Sequence, residues 1–387
     1  MTARTDASAR NGKRGAAARA ARPPGQIVLV LQGGGALGAY QVGVYQALHE
    51  AGFEPDWVIG TSIGAINAAI VAGNAPGERV AKLHAFWDSL QWRTPWGVPV
   101  APPGVLNPLA NLSTLMQGIG GFFAPNPASW WGPFASLGLE RAAFYDTAPL
   151  RATLEGLVDF KRIAQGATRL TVGAVNVRTG EMRYFDSRRD KLAAAHVMAS
   201  GALPPAFPAI RIGGEPYWDG GVYSNTPIEA VLDDNPRRSS TIFAVHMWNP
   251  SGSEPDTIWQ VLGRQKDIQY ASRAGSHIAR QQQIHRLRHV INELVARLPE
   301  RERARSDVRE LAAWGCSTTM HIVRLLAPRL EGEDHTKDID FTPAGIRARC
   351  EAGYRDTQEA IAEAPWAAPA DPLQGVYVHD HASAHSM

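Results

Sequence analysis

A short apolar segment, Trp57-Val58-Ile59, runs into Gly60-Thr61-Ser62-Ile63-Gly64 and then into Ala65-Ile66-Asn67-Ala68-Ala69-Ile70-Val71-Ala72, an apolar stretch of helical character. This is the tightest constraint on the fold. A strand that turns sharply into a buried helix, with a glycine two residues on either side of a serine, pushes the serine oxygen out where a substrate can reach it. The glycines answer a steric need, because a side chain beside the serine would clash in so close a turn. The helix start also sets unpaired N–H groups and a positive dipole end beside the serine. G-x-S-x-G alone also serves as a small-residue turn where a helix packs closely on a strand, so its chemistry needs support from elsewhere in the chain.

Two segments supply that support. The run 26–31, Gln-Ile-Val-Leu-Val-Leu, is fit for a strand buried on both faces. It leads into Gln32-Gly33-Gly34-Gly35-Ala36-Leu37-Gly38 and then into a helical pattern over 39–48. A glycine-rich loop between strand and helix exposes several backbone N–H groups at a positive helix end. That is a site for an anion, either a phosphate or a developing oxyanion. Further on, Tyr217-Trp218-Asp219-Gly220-Gly221 places one carboxylate in a tight turn. By itself an Asp-Gly-Gly is a turn and no more.

Together the three segments resemble the patatin-like phospholipase family, in the family's own order. Ala199-Ser200-Gly201-Ala202-Leu203-Pro204-Pro205-Ala206-Phe207-Pro208 is a fourth such segment, and the likeness covers roughly 26–250. The resemblance implies Ser62 as nucleophile, Asp219 as its base, and the amides of Gly33, Gly34, Gly35 and Ala36 as oxyanion hole. Gly38, Gly60, Gly64, Gly220 and Gly221 complete the motifs. It implies an α/β fold of three layers, a mainly parallel central sheet with helices on both faces. Leu37 departs from the Arg or Lys of many members, which removes a fixed positive charge from the loop and leaves its backbone donors unchanged.

The chemistry is coherent on its own terms. A serine hydroxyl is a weak nucleophile until a base accepts its proton. An aspartate with its ordinary pKa of about 3.9 is a poor base in water, and burial raises it toward a useful value. A Ser–Asp dyad needs no histidine. His49, His196 and His246 read as structural or solvated; in a Ser-His-Asp arrangement the histidine would follow the acid, which leaves His246 and His277 as candidates. Neither a metal nor an organic cofactor is called for.

Two other readings stay open. Gly33-x-Gly35-x-x-Gly38 matches the dinucleotide fingerprint, which requires an acid at the end of the next strand; here Asp56 precedes that strand and the serine turn ends it. The fold can also serve as a non-catalytic lipid-binding protein, against which the intact Ser62 and Asp219 argue.

The net charge of +2 conceals an asymmetry: 1–22 hold six Arg or Lys against Asp6 alone. Residues 1–25 read as a disordered basic arm without the apolar core of a secretory signal. Cys316 and Cys350 make no disulfide framework and suit a reducing cytoplasm. No span of the membrane is convincing. The catalytic domain is expected over 26–250 and a mostly helical extension over 251–371, with a disordered tail over 372–387 that carries His379, His381 and His385. Within the catalytic domain, 94–139 holds 46 residues without a charge, eight prolines and seven glycines, and aromatics at Trp96, Phe122, Phe123, Trp130, Trp131 and Phe134. Such a segment suits a lid over an apolar pocket, a surface at a lipid interface, or an irregular wall. The expected partners are a lipid or other acyl ester and a peripheral membrane surface, not nucleic acid. Nothing in the sequence sets the oligomeric state, the acyl chain length, or hydrolysis over acyl transfer.

Overall fold

Parallel strands buried on both faces need continuous apolar sequence, and four segments here have it. They are β1 (Gln26–Leu31), β2 (Trp57–Thr61), β3 (Arg169–Asn176) and, later, Ser240–His246. The computed structural model describes residues 21–91, 116–271, 274–330, 333–368, 371 and 373–381. Between the first strands lie α1 (Ala39–Glu50), α2 (Ile63–Ala72) and α3 (Pro76–Ser89). After β3 come β4 (Met182–Asp186), α4 (Ala194–Ser200), β5 (Ile210–Ile212), β6 (Glu215–Asp219) and β7 (Ser240–His246). The chain then forms α5 (Ile258–Ala271), α6 (Ala274–Ala296), β8 (Met320–Leu326), α7 (Pro343–Glu363) and β9 (Val376–His381).

The nine strands make one sheet in the order β9-β8-β7-β1-β2-β3-β6-β5, with β4 also paired to β3. The pairs from β9 through to β3 are parallel; those of β3 with β4 and β6, and of β5 with β6, are antiparallel. Alternate residues of the strands feed two separate cores, as the period of two requires. Leu29, Leu31, Phe243 and Val323 pack on one face with α1, α2 and α7 residues such as Tyr40, Ile66 and Ile346. Val28, Val30, Ile242 and Ile322 pack on the other with Ile228, Val231 and Ile278. The sheet with helices on both faces is the three-layer α/β arrangement expected.

Several expectations need correction. The tail over 372–387 is not disordered where it is described: Val376–His381 adds a parallel strand beside β8, with Val376 fully buried. Its apolar part is only Val376-Tyr377-Val378, too short a run to announce a strand, and it is held by the backbone ladder together with Val376 and Val378 in the second core. Nor is the boundary at 250 a break in structure, since the extension supplies β8 and β9 to the same sheet. Its helix α7 lies directly on α1, where Gly43 and Gly353 allow the backbones to meet: a Cβ on either would stand about 2 Å from Cys350 O or Tyr40 O. The arm over 1–25 is tied down at its end, Ala21 O accepting from Trp366 Nε1 and Pro24 O from Thr241 Oγ1. After the Asp219 turn only Glu229–Leu232 is helical, because the residues before it form the turn Gly220–Val222 and the backbone contact of Asn225 with Gly33. Residues 1–20 of the arm and 94–115 of the uncharged insertion lie outside the described residues.

Candidate active site

Ser62 sits between β2 and α2 at φ 56°, ψ −127°, a left-handed backbone uncommon for a residue with a side chain. Such a conformation persists only where its surroundings over-determine it. The Ser62 amide donates to both the carbonyl and the hydroxyl oxygen of Ser200, each at 3.1 Å, and Ser200 Oγ in turn donates to Gly173 O at 2.6 Å. Close packing does the rest. A Cβ on Gly60 would stand 2.2 Å from Gly64 O, and one on Gly64 2.3 Å from Leu31 O. Gly38 meets Ile63 in the same way, at 2.7 Å.

Asp219 reaches the serine from the opposite direction. It ends β6, antiparallel to β3, with Ala174 as its partner; the preceding residue Gly173 pairs with Thr61. The two residues are thereby level across the sheet, and the Ser62 side chain is near enough to the Asp219 carboxylate to pull its pKa down. Gly221 N donates to Asp219 Oδ1 at 2.7 Å. Gly220 packs on Gly173 O, 2.5 Å from where its Cβ would be, so the turn admits no side chain. The carboxylate is 1% exposed, and burial pushes its pKa up to about 7, against the pull of its bonds from Ser62 and Gly221. A buried acid whose pKa is pushed toward neutrality beside a strained serine is a candidate general base.

The glycine loop leaves the carboxyl end of β1 at the same edge. The expectation of four donors is corrected at Gly33, whose amide is occupied by Asn225 O at 3.2 Å. The other three candidates, Gly34, Gly35 and Ala36, lie at the start of the short helical turn Gly35–Gly38. Gly35 takes φ +57°, with Asp338 O 2.2 Å from its would-be Cβ, so it tolerates no side chain.

Other candidates are not brought into the site. His277 lies 3.6 Å from Asp233. His246 is buried against Arg324 and Asp380, with its pKa pushed down to about 4, mainly by burial. His49 pairs with Glu54, and His196 accepts from Ala193 N. Asp56 Oδ2 accepts from Ile27 N at the amino end of β1. The acid required by a dinucleotide reading thus lies at the wrong edge of the sheet.

Sequence reading missed Ser200's hold on Ser62, together with Gln32, Asn225, Trp248 and Tyr270, which gather behind the loop. None carries a local signal, because each matters only through a partner distant in sequence. The described part of the uncharged insertion forms an aromatic wall. Phe123 lies 4.8 Å from Tyr145 and 5.3 Å from Phe207, ring to ring, and Tyr145 N donates to Ala206 O. That wall abuts the segment that follows Ser200. Trp130, Trp131 and Phe134 are more than 80% exposed. A cavity of about 600 Å³ touches the loop at Leu37 and is lined by Met247, Arg264 and Lys337, but not by Ser62. A smaller cleft of about 210 Å³ opens beside Gly221, Tyr223, Asn225 and Tyr270.

With elbow, loop and carboxylate at one edge, the family can be decided by sequence comparison. The family model for patatin-like phospholipases matches residues 29–232, more than half of the chain. The chain belongs to the patatin-like phospholipase family. A second model, a domain of unknown function described as patatin phospholipase, matches 268–373, which takes in α6, β8 and α7 of the extension. Lysophospholipase nte1 of Aspergillus terreus is 60% identical over 70 residues, 17% of this chain and 5% of that protein's length. Among solved structures, VipD from Legionella pneumophila is 18% identical, covering 87% of this chain and 67% of that one with a TM-score of 0.37. The ExoU–SpcU complex of Pseudomonas aeruginosa is 16% identical, covering 88% and 51% with a TM-score of 0.34. Superpositions so loose carry no weight beside the sequence match.

Proposed function

We propose that the chain is a serine acyl hydrolase of lipid esters that uses a Ser62–Asp219 dyad. The observation that carries this reading is a serine at strained φ beside a buried carboxylate whose pKa burial pushes up to about 7. In the reaction, Ser62 Oγ attacks the acyl carbonyl carbon as its proton passes to Asp219. The carbonyl oxygen gains a negative charge, which the amides of Gly34, Gly35 and Ala36 stabilise. Collapse breaks the ester bond, and the leaving alcohol takes the proton from Asp219. Water then attacks the acyl-serine under the same base and releases the acid. An alcohol in place of water gives acyl transfer by the same second step. Labelling by a fluorophosphonate probe, together with hydrolysis of p-nitrophenyl esters of graded chain length, tests the reading. Ser62→Ala is expected to lose the label and at least about 10⁴-fold of the rate; a label or rate that survives in this variant overturns the assignment.

The proposed setting is the cytoplasmic face of a lipid surface. Among the described residues no helix is long and apolar enough to cross a membrane. Trp130, Trp131 and Phe134 are exposed aromatics of the kind that settle at a lipid–water boundary, and the free thiols Cys316 and Cys350 suit a reducing compartment. The double variant Trp130→Ser, Trp131→Ser is expected to sediment several-fold less with phosphatidylcholine vesicles. It should keep wild-type kcat/KM on p-nitrophenyl butyrate. Equal loss on vesicles and on the soluble ester would exclude the interface role.

A further inference from the structure

The peptide between Gly33 and Gly34 is the part of the loop with least intrinsic preference for one orientation. Neither residue has a Cβ, so rotation of the peptide plane meets little steric resistance. Yet its carbonyl is gripped twice. Gly33 O accepts from Asn225 Nδ2 at 3.0 Å and from Trp248 Nε1 at 2.8 Å. In a planar trans peptide the carbonyl and the following N–H point in opposite directions. Two donors on Gly33 O therefore fix the direction of the Gly34 amide, away from Asn225 and Trp248.

The two arms of the grip are themselves tied together. The buried side chain of Gln32 accepts from Trp248 N at 3.2 Å and donates to Thr226 Oγ1, next to Asn225, at 2.7 Å. Gln32 and Asn225 both reach the carbonyl of Tyr270, at 3.1 and 3.5 Å, and the Tyr270 ring packs on Trp248 at 4.9 Å. Tyr270 belongs to α5, within the stretch matched by the second family model. The extension thus closes the support from behind.

We infer that Asn225 and Trp248 are positioning residues of the oxyanion hole, holding the Gly33–Gly34 peptide so that the Gly34 N–H faces the developing oxyanion over Ser62. This rests on the serine hydrolase reading proposed above. Released from the grip, the peptide is free to turn its carbonyl oxygen toward the same point, where it repels the charge the amide would stabilise. The loss falls on the transition state and spares the ground state, so it appears in kcat and not in KM.

Trp248→Phe deletes one donor and keeps the ring against Tyr270; Asn225→Asp deletes the other and puts an acceptor in its place. Each variant, and the double, is compared with wild type on p-nitrophenyl butyrate, with kcat expressed per site titrated by a fluorophosphonate. The expected result is a kcat about tenfold lower in each single variant. In the double variant the loss approaches the 10²- to 10³-fold that follows removal of one oxyanion donor, with KM within about twofold of wild type. The inhibition constant of an alkyl trifluoromethyl ketone, whose adduct with serine carries an oxyanion, rises in parallel. A purely structural role would lower the melting temperature and the titratable fraction while leaving kcat per site unchanged. That outcome overturns the inference and leaves the dyad intact. Hydrolysis that persists in Ser62→Ala overturns both.

Discussion

Replacement of Asp219 by Asn is expected to lower kcat on a soluble ester about 10⁴-fold or more and, at pH 8, to make the protein more stable. The two effects have one origin. Asn is the same size as Asp and its Oδ1 still accepts from Gly221 N, so the turn is preserved. What disappears is a charge held at 1% exposure, without a cationic partner among the groups that set its titration. The folded-state pKa of about 7 lies above the ordinary value of 3.8. The unfolded chain therefore gives up its proton first, and stability falls as pH rises from about 4 to about 7. The amide has no proton to lose, so the difference in melting temperature between variant and wild type should be small at pH 4. It should grow through that window and level above pH 7, where it corresponds to a stability difference of a few kcal/mol. Calorimetry across pH 4–8 measures it. A variant less stable than wild type at pH 8 would mean that burial of the carboxylate is not what raises its pKa.

The pH profile of the wild-type enzyme should show the same group from the side of activity. A base works only when deprotonated, so kcat/KM for an uncharged ester is expected to fall about tenfold per pH unit below a midpoint near 7. At pH 5 the enzyme would then run about 100-fold below its plateau. An ordinary aspartate, with a pKa of about 3.9, would leave the rate flat over that range. A histidine base would give a similar midpoint, and His246→Gln and His277→Gln separate the two. Both variants should keep the wild-type profile, since His277 pairs with Asp233 and His246 lies against Arg324 and Asp380. A profile abolished by either substitution would restore the triad.

Both expectations depend on a nucleophile visible in the sequence and on a carboxylate whose power as a base was not. The elbow at 60–64 was legible because its constraint is local: strand, close turn and helix follow one another within a dozen residues, and only glycine fits at the positions two residues to either side of Ser62. The glycine loop and the Asp-Gly-Gly turn were legible for the same reason. The strand Val376–His381 was not, because its three apolar residues are followed by His-Asp-His and its place is set by pairing with an edge distant in sequence. Asn225 and Trp248 were equally silent, since a side-chain donor has no meaning until its acceptor, Gly33 O, is placed beside it.

The sequence by itself determined the serine turn and the anion-binding loop, consequences of short-range sterics and periodicity, while the three-layer fold and the candidate acid followed from the motifs' resemblance to the family. Only the tertiary structure decided that Asp219 lies level with Ser62 and that Gly33 gives its amide to Asn225 and its carbonyl to a two-sided grip. It alone also shows that the extension completes the central sheet and backs the loop. The reason is physical: burial, which lifts the Asp219 pKa to about 7, and hydrogen bonds between residues far apart in the chain exist only once the sheet has brought its strands together.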